Sequence, residues 1–535
     1  MIKVSLFILL SMINLTPLTG NAQNTSPIVA GKNGPIVQTE KGKVRGYIHN
    51  GVFTFKGIPY GEAKRFMAPE KTLSWQGVRS SMSYGPVCPN NQTPSFNDEI
   101  EFAFHRNRGY YNSEDCLNLN IWTNSISTPK KKPVMVWLHG GGFSSGSAVE
   151  FPSYDGENLS RKDVVVVSIN HRLNVLGFID LSAYGEKYKY SANAGAMDMV
   201  AALRWIKENI STFGGDPDNV TIFGQSGGGA KVTCLLNTPS AKGLFHKAII
   251  QSGSYLNRFI TKSISQKVSA AVLEELKIQP DQVDSLETIP YNVLDAAGQK
   301  ALAKVNATLK PEEMPAFGLE WEPVLDGEFL PYQPNEGTAM ELSKNIPLLV
   351  GSVKNEYTPF DSDVNDAMEK VNAQLKEKYR DRVPEYLAAM KKAYPETNIP
   401  SDYIDIDFIF RPFVIKQANQ KSALQAAPVY TYLFAWQSPA MDGAYKAFHC
   451  MDLPFVFNNI QRCEEMTGGG KDAYILADKV SEAWVQFAKT GNPGHNKLPD
   501  WPAYNSENGA TMIFDTKCQI KNHHDKELMM IGSGK

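Results

Sequence analysis

Between residues 133 and 250, short apolar runs alternate with stretches of helical spacing, and this alternation narrows the possible folds more than any other feature of the chain. "PVMVWLHGGG" reads as one strand and "DVVVVSIN" as a second. "GAMDMVAALRWIKENI" then sets Met197, Val200, Leu203, Ile206 and Ile210 at helical spacing. "NVTIFGQSG" gives a third strand, "GGGAKVTCLLN" a helix and "KAIIQSG" a fourth strand. Strands that are apolar on every residue have no side to turn to water, so helices must cover both faces, and helical crossovers make the pairing parallel. The expected fold class is α/β, with a large, mostly parallel, doubly wound central sheet. "PLLVGSVKNE" reads as a further strand. The charge-rich, helix-like segments 255–340 and 360–425 are expected as insertions over the active site. The coil-rich region 23–132, with "GVFTFKGIPYG", is expected to extend the sheet by antiparallel strands. No low-complexity linker or repeat divides the chain, so residues 23–535 are expected to form a single catalytic domain.

Residues 1–22 read as a signal peptide: Lys3, an apolar run from Val4 to about Leu15, then "GNA" before Gln23, with cleavage expected after Ala22. Secretion or a periplasmic location follows. The apolar run is too short to span a bilayer, and no later run is long enough, so no stable membrane anchor is expected. A formal net charge of -2 leaves no field for nucleic acid and points to a small-molecule partner. The six cysteines include no Cys-x-x-Cys pair and the nine histidines no metal-ligand spacing, so neither a metal nor another cofactor is expected. Oligomeric state is not fixed by any of these features.

Two segments fit Gly-x-Ser-x-Gly, around Ser144 and around Ser226. A nucleophile elbow needs a strand entering, a tight glycine turn and a helix leaving, so that the hydroxyl projects above the sheet. Ser226 in "VTIFGQSGGGAKV" has all three. Ser144 is followed by Pro152 and Gly156, which defeat a helix. The segment "HGGGF" has another use: its amides just past a strand end can stabilise the oxyanion of acyl transfer, with Gly141, Gly142 and Gly227 as donors. In this fold the acid and the histidine follow the nucleophile. His246, His449 and His495 qualify; spacing favours His449, whose apolar neighbours could fix its ring. For the acid, Glu356, Asp361 and Asp363 remain open.

With these motifs in order, the chain resembles the type-B carboxylesterase family, which includes carboxylesterases, cholinesterases and bacterial nitrobenzyl-ester esterases. The likeness runs from about 35 to 515 and is carried by "EDCLNLNIW", "NHRLNVLGF", "NAGAMDMVAALRWIKENI" and "FGGDPDNVTIFGQSGGGAKV". It implies an α/β-hydrolase fold, Ser226 as nucleophile, Glu356 as acid, His449 as base, and Gly141, Gly142 and Gly227 as the oxyanion hole. It also implies a disulfide between Cys88 and Cys116, and leaves Cys234, Cys450, Cys463 and Cys518 without a role. The implied activity is ester hydrolysis through an acyl-enzyme. Amide or lactone hydrolysis by the same triad, or a non-catalytic binding module, are the alternatives. Two departures from the family stand out. "GQSGG" replaces the commoner "GESAG", so Gln225 removes a negative charge. Arg106 stands near the place of the cholinesterase tryptophan that stacks on choline. Both favour small to medium neutral esters. Phe317 and Trp321 are candidates for the wall of the acyl pocket.

Overall fold

The computed structural model describes residues 27–90, 97–107, 109–334, 336–363 and 365–532. The signal-peptide stretch, 1–22, lies outside them.

Twelve strands form the central sheet: β1 (Ile28–Val29), β2 (Tyr47–His49), β3 (Val52–Pro59), β4 (Asn118–Thr123), β5 (Lys132–Leu138), β6 (Val165–Ile169), β7 (Gly215–Gln225), β8 (Lys247–Gln251), β9 (Leu348–Val353), β10 (Val429–Phe434), β11 (Ala510–Phe514) and β12 (Gln519–Asn522). Their spatial order is β1-β2-β3-β4-β6-β5-β7-β8-β9-β10-β11-β12. From β6 to β11 every pairing is parallel. The N-terminal strands, and β12 at the other edge, are antiparallel. Only β5 and β6 exchange places relative to the chain. The connection leaving β5 therefore runs to one side of the sheet and that leaving β7 to the other, which opens a crevice at the carboxyl ends of these two neighbours.

Helices α1 (Ala194–Asn209), α2 (Gly227–Leu236), α3 (Lys262–Leu276), α4 (Tyr291–Asn306), α5 (Phe410–Ser422) and α6 (Lys471–Thr490) surround the sheet. Strand side chains alternate between two cores, as a period of two requires. Val134, Val136 and Leu138 of β5 join Leu203 and Ile206 of α1 and Ala230 of α2 in one core. Met135 and Trp137 face the other way and pack with Val480 and Trp484 of α6. Trp137 is fully buried, its ring 4.9 Å from Tyr154 and 5.0 Å from Phe223. These aromatic contacts stiffen the end of β5 beneath the loop that follows it.

Candidate active site

Strand β7 ends at Gln225 and α2 begins at Gly227, so Ser226 is the single residue in between. Its backbone sits at φ 55°, ψ −126°, a conformation that costs a non-glycine residue on the order of 1–3 kcal/mol. Packing holds it there: Ser226 N donates to Gln251 O on β8 at 2.8 Å, and Ala230 N donates to Ser226 O at 3.1 Å. The glycines answer to close approach. A methyl group on Gly228 would stand 2.0 Å from the Leu138 carbonyl oxygen, and one on Gly227 would stand 2.2 Å from Gly142 N. The elbow and the "HGGG" loop thus touch backbone to backbone, which no larger residue permits.

Gly141 and Gly142 both have positive φ. The loop closes as Ser144 N and Ser145 N donate to Gly141 O at 3.3 and 2.9 Å. Ser144 is therefore part of this turn and enters no helix. Gly227 opens α2, where the first N–H groups have no intrahelical acceptor. The three glycines are gathered beside Ser226, and all but Gly227 line one cleft with it.

Glu356 follows β9 and His449 lies in the loop after β10. The two loops join as a parallel bridge between Glu356 and Phe448, with His449 N donating to Glu356 O at 2.9 Å. The His449 imidazole meets the Glu356 carboxyl through Nδ1 and Oε2, and Val353 N donates to Oε1 at 3.2 Å. The Tyr357 ring stacks on the imidazole at 4.2 Å, and its hydroxyl is in hydrogen-bond contact with Ser226. The remaining imidazole nitrogen, Nε2, lies 3.2 Å from Gln225 Nε2, while Cys450 Sγ donates to Gln225 Oε1 at 3.2 Å. The thiol fixes which end of the amide faces the ring. An amide N–H on Nε2 requires a lone pair there, which places the ring proton on Nδ1 and leaves Glu356 to accept it. Burial brings His449 down to about 4, against the pull of Asp452 and Asp407, and pushes Glu356 above the usual carboxyl range against the Val353 N–H. Among the described residues Ser226 and His449 share no hydrogen bond: the Gln225 amide stands at the nitrogen instead.

The rival residues lie elsewhere. Asp361 and Asp363 are exposed. His246 accepts from Val220 N at 3.1 Å, and His495 faces the Lys479 carbonyl at 3.0 Å.

The sequence profile of the Carboxylesterase family matches residues 33–530. The chain belongs to the carboxylesterase family. It is 39% identical over 505 residues to the para-nitrobenzyl esterase of Bacillus subtilis (strain 168), covering 92% of this chain and 97% of that one. It is 30% identical over 496 residues to the phenmedipham hydrolase of Pseudarthrobacter oxydans, with 90% and 94% covered. Among solved structures, an esterase of Clostridium hathewayi that can hydrolyse aliphatic aromatic polyesters superposes with a TM-score of 0.84 at 38% identity, covering 95% of this chain and 99% of that one. The fold is that of the α/β-hydrolases, and the protein is a carboxylic-ester hydrolase.

The cleft of this carboxylesterase encloses about 900 Å³ at the crevice between β5 and β7. Tyr255, Phe317, Tyr357 and Phe410 form an aromatic wall, with Phe317 5.0 Å from Tyr255 and 5.5 Å from Phe410. Trp321 corrects the sequence reading: it is buried in the core against Gly298 and does not line the cleft. Arg106 lines the cleft, yet Glu101 at 3.0 Å and Glu150 at 3.3 Å take up its charge. Cys88 and Cys116 stand side by side. Both are buried free thiols whose side chains meet as hydrogen-bond neighbours, and no disulfide joins them here. Tyr357, Phe410 and Cys450 were not singled out from sequence for this site. Only their neighbours Glu356 and His449 gave a signal.

Proposed function

We propose that this carboxylesterase is a serine esterase that works through an acyl-enzyme with Ser226, His449 and Glu356. The observation carrying the reading is His449 held between the Glu356 carboxyl and the mouth of the elbow, in a cleft that also contains the Ser226 hydroxyl. On substrate entry His449 Nε2 exchanges the Gln225 amide for the Ser226 hydroxyl and takes its proton. Oγ attacks the ester carbonyl, whose oxygen gains the electron pair and is met by the amides of Gly141, Gly142 and Gly227. Glu356 supports the imidazolium, which returns its proton to the leaving alcohol. Water, deprotonated by the same nitrogen, then releases the acid and restores Ser226.

Uncharged esters with an aryl group or a short acyl chain suit the cleft best. Gln225 brings no charge, Arg106 is neutralised, and the half-buried Glu322 is pushed up to about 8 by burial and by Glu320. The aromatic wall supplies stacking surface, in keeping with relatives named for nitrobenzyl esters and aromatic polyesters. Residues 1–22 direct this activity to an exported location.

The test is a p-nitrophenyl butyrate burst of one equivalent per protein, followed by labelling with an aryl phosphonate. The adduct is expected on Ser226, Ser226→Ala is expected to be inert, and Ser144→Ala is expected to keep most activity. An adduct on Ser144, or activity in Ser226→Ala, overturns the assignment.

A further inference from the structure

One turn into α2, Lys231 is fully buried. Its Nζ lies behind the oxyanion loop, donating to His139 O at 2.8 Å and to Gly140 O at 3.3 Å. The Gly140 carbonyl also faces His139 Nδ1 at 2.9 Å. In a planar trans peptide, the carbonyl of Gly140 and the N–H of Gly141 point in opposite directions. Fixing the oxygen on the helix side therefore turns the Gly141 N–H away from Lys231, toward the cleft that both glycines line with Ser226. A cation on the oxygen also polarises the amide and makes its N–H a stronger donor. For packing alone, a methionine would fill the same space without desolvating a charge.

We propose that Lys231 is a positioning residue for ester hydrolysis: its ammonium group orients and polarises the Gly140–Gly141 peptide so that the Gly141 N–H receives the developing oxyanion. This rests on the acyl-transfer role of Ser226 given above. The groups facing Lys231 are few. His139 and His171 stack at 5.1 Å, and burial together with the lysine charge holds both far below the usual histidine range, so neither is a competing cation. The Phe143 ring lies 5.8 Å away. Glu150 supports the ammonium, and shares its own charge with Arg106 at 3.3 Å. Burial outweighs Glu150 and brings Lys231 down to about 7. The protonated form is the useful one, so kcat/KM falls as pH rises through about 7, and the neutral form of His449 is already present above about 4.

Two readouts test this, on wild type and Lys231→Met, with active sites counted by phosphonate labelling. The first is kcat/KM for p-nitrophenyl butyrate from pH 5 to 9. The second is Ki for an alkyl trifluoromethyl ketone. In that adduct Ser226 Oγ bonds to the ketone carbon, the carbonyl pair moves to oxygen as an oxyanion, and the serine proton goes to His449. We expect Lys231→Met to lose about tenfold in kcat with KM little changed, to weaken the ketone by the same factor, and to lack the alkaline fall. Should the variant fail to fold, wild type alone decides: its ketone affinity must weaken as pH rises from 6 to 9. A flat wild-type profile, or a Lys231→Met enzyme with unchanged kcat or with the wild-type pH profile, overturns the proposal. With Ser226 labelled normally, such a result removes the lysine's role alone; failure to label Ser226 removes the acyl-transfer reading beneath it.

Discussion

At Ser226 backbone packs on backbone: Gly227 against Gly142, Gly228 against Leu138, and Gly229 against Gly253, whose Cα would lie 2.8 Å from an added methyl group. At His449 side chain meets side chain: Glu356 and Gln225 at its two nitrogens, Tyr357 on its face, and Cys450 holding Gln225. The contacts of the first half are set by steric exclusion, with the charge of Lys231 acting on the Gly140–Gly141 peptide beside them. The second is set by protons in a dry pocket, where one exchanged atom changes the ionisation of its neighbour. Perturbations should therefore separate the two halves.

The largest effect is expected from Glu356→Gln. An amide cannot support the imidazolium and holds the wrong ring tautomer, so kcat should fall by about 10³–10⁴-fold, while Asp361→Asn and Asp363→Asn stay near wild type. Phosphonate labelling should slow in parallel, with Tm nearly unchanged because the elbow is untouched. If Asp361 or Asp363 proves the crippling position, the acid half is misassigned.

Oxidation comes next. Cys88 and Cys116 are adjacent thiols on the nucleophile side, where Leu173 N also donates to Cys88 Sγ at 3.3 Å. A disulfide formed between them under oxidising conditions should stabilise the fold by roughly 3 kcal/mol in the chain-entropy model and leave kcat unaltered. Denaturant unfolding with and without reductant, alongside peptide mapping, measures it. A change in kcat on oxidation would break the separation of stability from chemistry.

The smallest expected effect belongs to Gln225→Glu. A carboxylate at Nε2 favours the protonated imidazole, so the His449 pKa must rise from about 4. Because the base has to be neutral, the acid limb of kcat/KM shifts to higher pH. For a rise of about one unit, the loss is expected to be about twofold at pH 5 and about fivefold at pH 4. The same variant should narrow the preference for 3,3-dimethylbutyl butyrate over butyrylcholine, since it adds a negative charge to the wall of the cleft. An unmoved acid limb would mean that the residue at 225 does not govern His449.

The two halves also differ in how far the sequence betrayed them. The elbow was legible because its requirements are local: a strand, three consecutive glycines and a helix lie within thirteen residues, and Pro152 with Gly156 disqualified Ser144. The parallel sheet was legible from its unbroken apolar runs. Its exchanged β5 and β6 were not, because local sequence does not record which neighbour a buried strand takes. Glu356 competed with Asp361 and Asp363 because only the bridge to Phe448 tells a buried carboxylate from solvated ones. Trp321 and Phe317 looked alike as aromatics, and only the fold put one in the core and the other on the cleft. Lys231 drew no attention in the sequence, since nothing in "GGGAKV" says that its position faces inward.

The glycine contacts at the elbow bear on how such a site can be inherited. Where main chain touches main chain there is no side-chain shape to match, so recombination with a relative that keeps those glycines preserves the fit of the turns whatever surrounds them. Gln225, Glu356, His449 and Cys450 carry no such freedom. A crossover anywhere between 226 and 449 gives a chimera whose amide was selected against a different imidazole, and its proton chemistry is then that of neither parent.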